Sequence, residues 1–480
     1  MKTIVVQPVT RVEGGARVLI NLDEQGNVKD TKMQIMELRG FERFAVGRPV
    51  EDMARITTRI CGVCPISHHL AAGKAMDAVF GVTPPPAGHR LRELLNAVAY
   101  CEEHILHFYF LAGPDFIMGM DVDPSVRNII GIIGKVPDIA KQVVKARQTC
   151  GRMVEIIAGR SIHPVLNVPG GVSKPLTEEE REKMQKMAAE VLEFAKFSIA
   201  FAKENIFYKL SEETLAIGAI KTGFLGTVKK DGALDLYDGH LRLMKADGQD
   251  ATDFEYNDYK EYIGEHIEPW AMVKFPYAKK WGGWSLDNDN PQGQYRVNTL
   301  ARMNVCDYIS TPLADAELKE FRNRFGRYPQ TTILYNWARL IELLYNAELV
   351  VHILQDPLVT DIDTRVPVKL VAGHGIGCVE APRGTLIHEY ECDDKGLVTK
   401  VNLVVGTTHN NGPINMSVNQ AATSLIKNGQ YDQALLNKVE VAIRAYDPCF
   451  SCASHTLDGR LSLSLDIADH NGQIIDKMSM

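Results

Sequence analysis

Two cysteine pairs carry the chemistry of this sequence: "RICGVCPISHH" at residues 59–69 and "YDPCFSCASH" at residues 446–455. Each has C-x-x-C spacing, Cys61 with Cys64 and Cys449 with Cys452, and each is followed by a histidine, His68 or His455. A lone C-x-x-C is compatible with a redox dithiol, half of a metal site or chance. Structural zinc is the commonest fate of two such pairs, but its pairs usually stand about 15 to 20 residues apart. Here most of the chain lies between them, which suits a cofactor enclosed by the finished fold. An all-sulfur donor set favours a soft transition metal, and spacing alone leaves its identity open.

Cys61 and Cys64 precede a helical pattern, so they are expected at a loop-to-helix junction, where a helix N-terminus favours the thiolate. His68 lies one turn beyond Cys64 on the same face. The second pair follows Asp447-Pro448, where proline ends the preceding helix.

The elements that must position these pairs are legible as periods. Residues 1–49 read as a small sheet built from "TIVVQPV", "ARVLINL" and "NVKDTKMQIM". Residues 50–206 carry long amphipathic helices over "ISHHLAAGKAMDAVF", "HRLRELLNAVAYCEEHILHFYFL", "PDIAKQVVKARQTCGRMVEIIAG" and "TEEEREKMQKMAAEVLEFAKFSIAFAKENI". The last opens with Thr177 and acidic residues, a helix-start signature. Residues 207–295 are mixed, with "KKWGGWSLDNDNPQGQ" read as a surface loop. Residues 296–455 return to helix, then strand ("RVPVKLVAG", "GTLIHEYECD", "LVTKVNLVV"), then helix. Residues 456–480 read as a C-terminal hairpin. The fold class is therefore α+β, with a central bundle of long helices flanked by small sheets.

Composition narrows the classes. The formal net charge of −7 over 480 residues offers no basic surface for nucleic acid or anionic lipid. No run approaches the roughly 18 apolar residues of a membrane-spanning helix. "MKTIVVQPVTRVEGG" lacks the apolar core of a signal peptide, which gives a cytoplasmic expectation. The unpaired Cys101, Cys150, Cys306, Cys378 and Cys392 read as small buried hydrophobes. The Gly-rich "GHGIG" at 373–377 lacks the spacing of a nucleotide loop and reads as backbone permissiveness.

The two pairs resemble the R-x-C-G-x-C-x-x-x-H and D-P-C-x-x-C-x-x-H motifs of nickel–iron hydrogenase large subunits. The resemblance extends in order through "PVTRVEGGARV", "LRGFE" (38–42), "GRSIHPVLNVPGGV" (159–172), "TLARMN" (299–304) and "EAPRG" (380–384). It implies that family's fold and a buried nickel–iron centre with carbon monoxide and cyanide on iron. Cys61 and Cys449 would be terminal nickel ligands, and Cys64 and Cys452 would bridge the metals. The reaction implied is reversible, heterolytic cleavage of dihydrogen.

Further roles follow from the same resemblance. Cys449 would accept the proton and Glu13 relay it, the plainer alternative being a salt bridge of Glu13 with Arg11 or Arg17. Arg383, beside Pro382 and oriented by Asp447, would stand over the open face of the metals. His68 would hydrogen-bond a bridging sulfur, and Thr407 a cyanide. Glu42, the Leu403 carbonyl and His455 would hold magnesium or iron. This chain has Gly406 where proline is common and Glu103 where aspartate is common; Glu103 is expected beside Arg383.

The partners implied are an iron–sulfur small subunit and further electron-transfer subunits carrying flavin or iron–sulfur groups. Two fates stand open for residues 456–480: removal by a maturation endopeptidase cutting after His455, or retention, which a hairpin able to add to a sheet would suit. Against this stand a complex I-like quinone-reductase relative, which lacks the four cysteines, and a structural zinc scaffold.

Overall fold

The computed structural model describes residues 2–37, 39–454, 464–468 and 473–479. The N-terminal sheet forms as its alternation dictates: β1 (Lys2–Val6), β2 (Ala16–Leu22) and β3 (Val28–Ile35) pair antiparallel in the order β1-β2-β3. In β2 every second residue is buried, from Ala16 to Leu22. The short α1 (Phe41–Ala45) follows and carries Glu42.

Four long helices come next: α2 (Pro65–Phe80), α3 (Pro86–Leu106), α4 (Pro137–Ala158) and α5 (Glu178–Asn205). The Thr177 signature is a complete capping box. The Thr177 hydroxyl accepts from the Glu180 N–H, and the Glu180 carboxylate accepts from the Thr177 N–H.

The middle of the chain adds β4 (Gly223–Val228), β5 (His240–Met244), β6 (Thr252–Phe254), the pair β7 (Ile263–Ile267) and β8 (Lys274–Ala278), and β9 (Tyr295–Arg296). One sheet has the order β9-β4-β5-β6, with β9 parallel to β4. The segment 279–294, expected as a surface loop, is irregular but half-buried, with Trp284 stacked on His266.

Helix α6 (Thr299–Val305) and the almost wholly buried α7 (Tyr335–Ile353) follow. The helical bundle consists of α3, α4, α5 and α7, so it draws one member from far along the chain. Helix α2 instead packs on the sheet β10 (Gly373–Ala381), β11 (Gly384–Cys392) and β12 (Val398–Val404), ordered β10-β11-β12.

Two details differ from expectation here. "RVPVKLVAG" is mostly exposed extended chain rather than a ladder strand: Arg365 makes an isolated bridge to Gly171, and only Gly373, where β10 begins, enters a ladder. "GHGIG" is itself the start of β10. A Cβ on Gly375 or Gly377 would come within 2.4 or 2.3 Å of the α2 backbone. These glycines therefore let the helix that begins beside Cys64 lie directly on the sheet.

Helices α8 (Asn411–Leu425), α9 (Gln433–Ala445) and α10 (Phe450–Ala453) carry the chain to the second cysteine pair. One continuous apolar core runs from Ile4 to Ala453, and a smaller one lies under β4 to β12. The expected C-terminal hairpin is present as β13 (Ser464–Ala468) paired antiparallel with β14 (Ile474–Ser479), which form a two-stranded sheet among the described residues. Its expected Asn471-Gly472 turn lies outside the described residues.

Candidate metal centre

The first cysteine pair sits where α2 begins. Cys64 is the residue before Pro65, which opens the helix with no N–H to leave unpaired. The second pair is set by a break after α9. Asp447 takes φ +52° and Pro448 follows, turning the chain so that Cys449 precedes α10. Cys449 also bridges Glu13, whose carbonyl accepts from the Phe450 N–H at 3.0 Å. Gly14 makes this approach possible: a Cβ there would meet the Ser451 nitrogen at 2.9 Å.

The two pairs converge. All four sulfurs lie within 4.8 Å of one another, and all four residues are buried. The Sγ separations are 3.0 Å for Cys61–Cys449, 3.3 Å for Cys64–Cys452, 2.8 Å for Cys449–Cys452 and 4.0 Å for Cys64–Cys449. Burial pushes the Cys449 and Cys452 thiols well up, whereas hydrogen bonds from the other three thiols hold Cys61 well down. Four buried thiols so placed fit a thiophilic metal centre, and loading it must release their protons. The remaining five cysteines are buried and unpaired, as expected of small hydrophobes.

Around the sulfurs the structure brings most of the expected residues together. Glu13 makes no salt bridge with Arg11 or Arg17. Arg11 pairs with Asp115 and Arg17 with Gln34, while Glu13 Oε2 lies 2.9 Å from Cys449 Sγ. Burial, then the charge of Cys61, pushes the Glu13 carboxyl above the ordinary range, and its hydrogen bonds pull the other way. The segment is held from behind: the Thr10 N–H donates to Glu440 at 2.7 Å, and Arg444 reaches both the Thr10 carbonyl and Asp115.

Arg383 donates to Glu103 Oε2 at 2.5 Å and to Asp447 Oδ1 at 3.1 Å. Burial opposes charge on Asp447, but Arg383, His107 and Arg339 hold its carboxyl below the usual value. Burial pushes Glu103 up to about 8, against the pull of Arg383. A cleft of about 140 Å³ lined by Gly62, Val63, Glu102, Arg147 and Ile162 reaches Glu103.

Thr407 Oγ1 accepts from the Cys449 N–H at 3.0 Å, which leaves its own proton to donate. His68 Nε2 lies 3.4 Å from Cys452 Sγ. Its neighbour His69 is tied to the Ala54 carbonyl and the Asn167 N–H, a structural role. Glu42 and Leu403 are both buried, on α1 and β12, which pack together. His455 lies outside the described residues.

Several residues at this site carried no sequence signal. Ser451 Oγ lies 2.5 Å from Glu13 Oε1 and 2.8 Å from Glu37 Oε2, and it accepts from Arg39 at 2.9 Å. Arg302 donates to Glu342 and Glu380, and to the carbonyls of Ala381 at 3.0 Å and Pro382 at 3.0 Å. It thereby clamps the backbone that aims Arg383. The match of "TLARMN" pointed at this block without revealing what its arginine holds.

Residues 39–125 and 317–455 match the nickel-dependent hydrogenase family, and residues 3–38 match a HoxL-like family. A subunit of the F420-non-reducing hydrogenase of Methanothermobacter thermautotrophicus is 43% identical over 100% of both chains. The beta subunit of the NAD-reducing hydrogenase HoxS of Cupriavidus necator is 36% identical over 99% of each. A solved NAD+-reducing [NiFe]-hydrogenase in the H2-reduced state superposes with a TM-score of 0.90 at 38% identity, covering 95% of this chain and 100% of that one. A Ni-Fe-Se hydrogenase from D. vulgaris Hildenborough shares the fold, with a TM-score of 0.74 at 22% identity.

Proposed function

This chain belongs to the nickel-dependent hydrogenases as the large, catalytic subunit of a nickel–iron enzyme, and we propose how its own residues divide the work. Cys61, Cys64, Cys449 and Cys452 would hold a nickel–iron centre, Cys61 and Cys449 serving nickel alone and Cys64 and Cys452 serving both metals, with carbon monoxide and cyanide completing the iron. The observation that supports this is the convergence of four buried sulfurs from distant parts of the chain. When bound, the centre supplies the polarisation that lets dihydrogen part heterolytically.

Cys449 Sγ takes the proton and hands it to Glu13 Oε2, its neighbour at 2.9 Å. A carboxyl raised by burial can hold that proton before release. From Glu13 the way outward is Ser451 Oγ and then Glu37, whose side chain is 29% exposed and paired with Arg39. A single hydroxyl proton stands between two carboxylates, so both contacts are satisfied when one of the two acids is protonated. That arrangement lets Ser451 receive from Glu13 while giving to Glu37.

Arg383, its plane fixed by Asp447 and Glu103, would hydrogen-bond a cyanide and aid polarisation of dihydrogen. Thr407 would donate to a cyanide, and His68 to Cys452. Glu42, the Leu403 carbonyl and His455 would hold magnesium or iron, magnesium being a hard cation suited to one carboxylate and several waters.

Electrons leave through an iron–sulfur small subunit, because no second cluster of cysteines occurs among the described residues. A cytoplasmic location completes the proposal; among the described residues no helix is long and apolar enough to cross a membrane. An endopeptidase trims the chain after His455. In support, the β13–β14 hairpin pairs with no other strand among the described residues.

The deciding experiment is infrared absorption in the carbonyl and cyanide region on purified protein, with nickel and iron counted. Both metals and both classes of band are expected. Zinc alone rejects the proposal in favour of a scaffold.

A further inference from the structure

Behind His68 lies a second buried chain of ring and hydroxyl groups that the roles above do not use. His68 Nδ1 is 3.0 Å from His388 Nε2, and His388 Nδ1 is 2.5 Å from the Tyr390 hydroxyl. All three side chains are fully buried. His388 and Tyr390 stand two residues apart on β11, so they share one face of the strand. The rings meet at centroid distances of 5.3 Å for His68 with His388 and 5.8 Å for His388 with Tyr390.

We propose that Tyr390 and His388 are positioning residues that lock His68 in the Nε2–H tautomer, so that its ring donates to the sulfur of Cys452. A neutral imidazole has one donor and one acceptor nitrogen, and the bond made by one fixes the other. If Tyr390 donates to His388 Nδ1, His388 must carry its proton on Nε2 and donate to His68 Nδ1. His68 then carries its proton on Nε2, 3.4 Å from Cys452 Sγ. Burial holds the Tyr390 phenol well above its ordinary value, so it keeps the proton that starts the sequence. A sulfur that ligates a metal has no proton to give, so with the centre loaded the donors run one way only, from Tyr390 to Cys452.

A hydrogen bond to a metal-bound thiolate withdraws electron density from it and raises the potential of the metal. Tyr390, two side chains removed from the sulfur, therefore tunes the centre without touching it. This rests on His68 as a donor to Cys452, and the test separates the two ideas.

Holoenzyme is prepared as wild type, Tyr390→Phe, His388→Leu and His388→Gln. Nickel and iron are counted, the midpoint potential of the centre is titrated, and the histidine tautomers are read from 15N spectra of the reduced, labelled protein. With full metal content, Tyr390→Phe and His388→Leu should shift the potential negative and mix the His68 tautomers. His388→Gln should stay near wild type, because a glutamine amide still donates to His68 Nδ1. Wild-type potential and tautomer in both Tyr390→Phe and His388→Leu overturn the proposal while leaving His68 as the donor. A wild-type His68 protonated on Nδ1 removes the donor role itself, and the proposal with it. If Tyr390→Phe does not fold, the wild-type spectrum and the contrast of His388→Gln with His388→Leu decide.

Discussion

Replacing Ser451 with alanine isolates the exit of protons from the site. The fully buried hydroxyl touches Glu13 at 2.5 Å and Glu37 at 2.8 Å, and the change removes both contacts while leaving the Ser451 N–H on Glu13 Oε2 at 3.1 Å. A hydrogen bond to a charged group is worth about 1.5–3 kcal/mol. Loss of one such donor should weaken the ionised form of Glu13 by an energy of that order and so raise its carboxyl further.

Burial already raises Glu13, and the Ser451 hydroxyl is one of the bonds that counter it. Without that bond the carboxylate becomes the stronger base, so at any given pH more of Glu13 is already protonated and unable to accept. At about 1.36 kcal/mol per tenfold change, and with the backbone donor remaining, the acid limb of hydrogen oxidation should therefore move to higher pH by about one pH unit. The plateau rate should fall as well, since no hydroxyl links the two acids. Oxidation of dihydrogen by an artificial dye, followed against pH with nickel and iron counted in each preparation, reads both effects. Ser451→Thr keeps the hydroxyl and should keep the wild-type profile. An alanine variant with full metal content, an unmoved limb and an undiminished plateau would refute the relay through Ser451.

Three further outcomes are expected. Glu13→Gln should leave metal content intact but slow isotope exchange between dihydrogen and water by about 100-fold or more; wild-type exchange removes Glu13 from the relay. Arg302→Met leaves Glu342 and Glu380 buried without their cation, and it should cost about 3–5 kcal/mol in a denaturant melt, with activity lost through a misaimed Arg383. A loss under about 1 kcal/mol would mean that the triad carries little of the fold. Intact mass of the holoprotein should place the C-terminus at His455, and a chain ending at Met480 would mean that the tail is kept.

The cysteine pairs, the capping box at Thr177 and the N-terminal sheet were legible because each is local: a spacing, a cap, an alternation. The helix over 65–80 was also legible, but its place on the β10 sheet was not, since an amphipathic period gives a face and not a partner. "RVPVKLVAG" has the composition of a strand yet lies exposed, while "GHGIG" lacks it and forms one. There, what decides is the close approach of α2, which only glycine permits. Ser451, Glu37, Arg302, His388 and Tyr390 were silent for a related reason. Their roles exist only in contacts between residues far apart in the chain, and none belongs to a spacing that chemistry demands. The one local hint was "HEYE", where strand period 2 puts His388 and Tyr390 on one face.

X-ray absorption at the nickel edge of the purified holoprotein tests the central claim most directly, with Cys61→Ser and Cys452→Ser prepared in parallel. Wild type should show nickel in a sulfur-dominated shell with iron as a near neighbour, and each serine variant should fail to retain nickel. Nickel bound through nitrogen and oxygen, or full nickel occupancy in either variant, would contradict the four-sulfur centre.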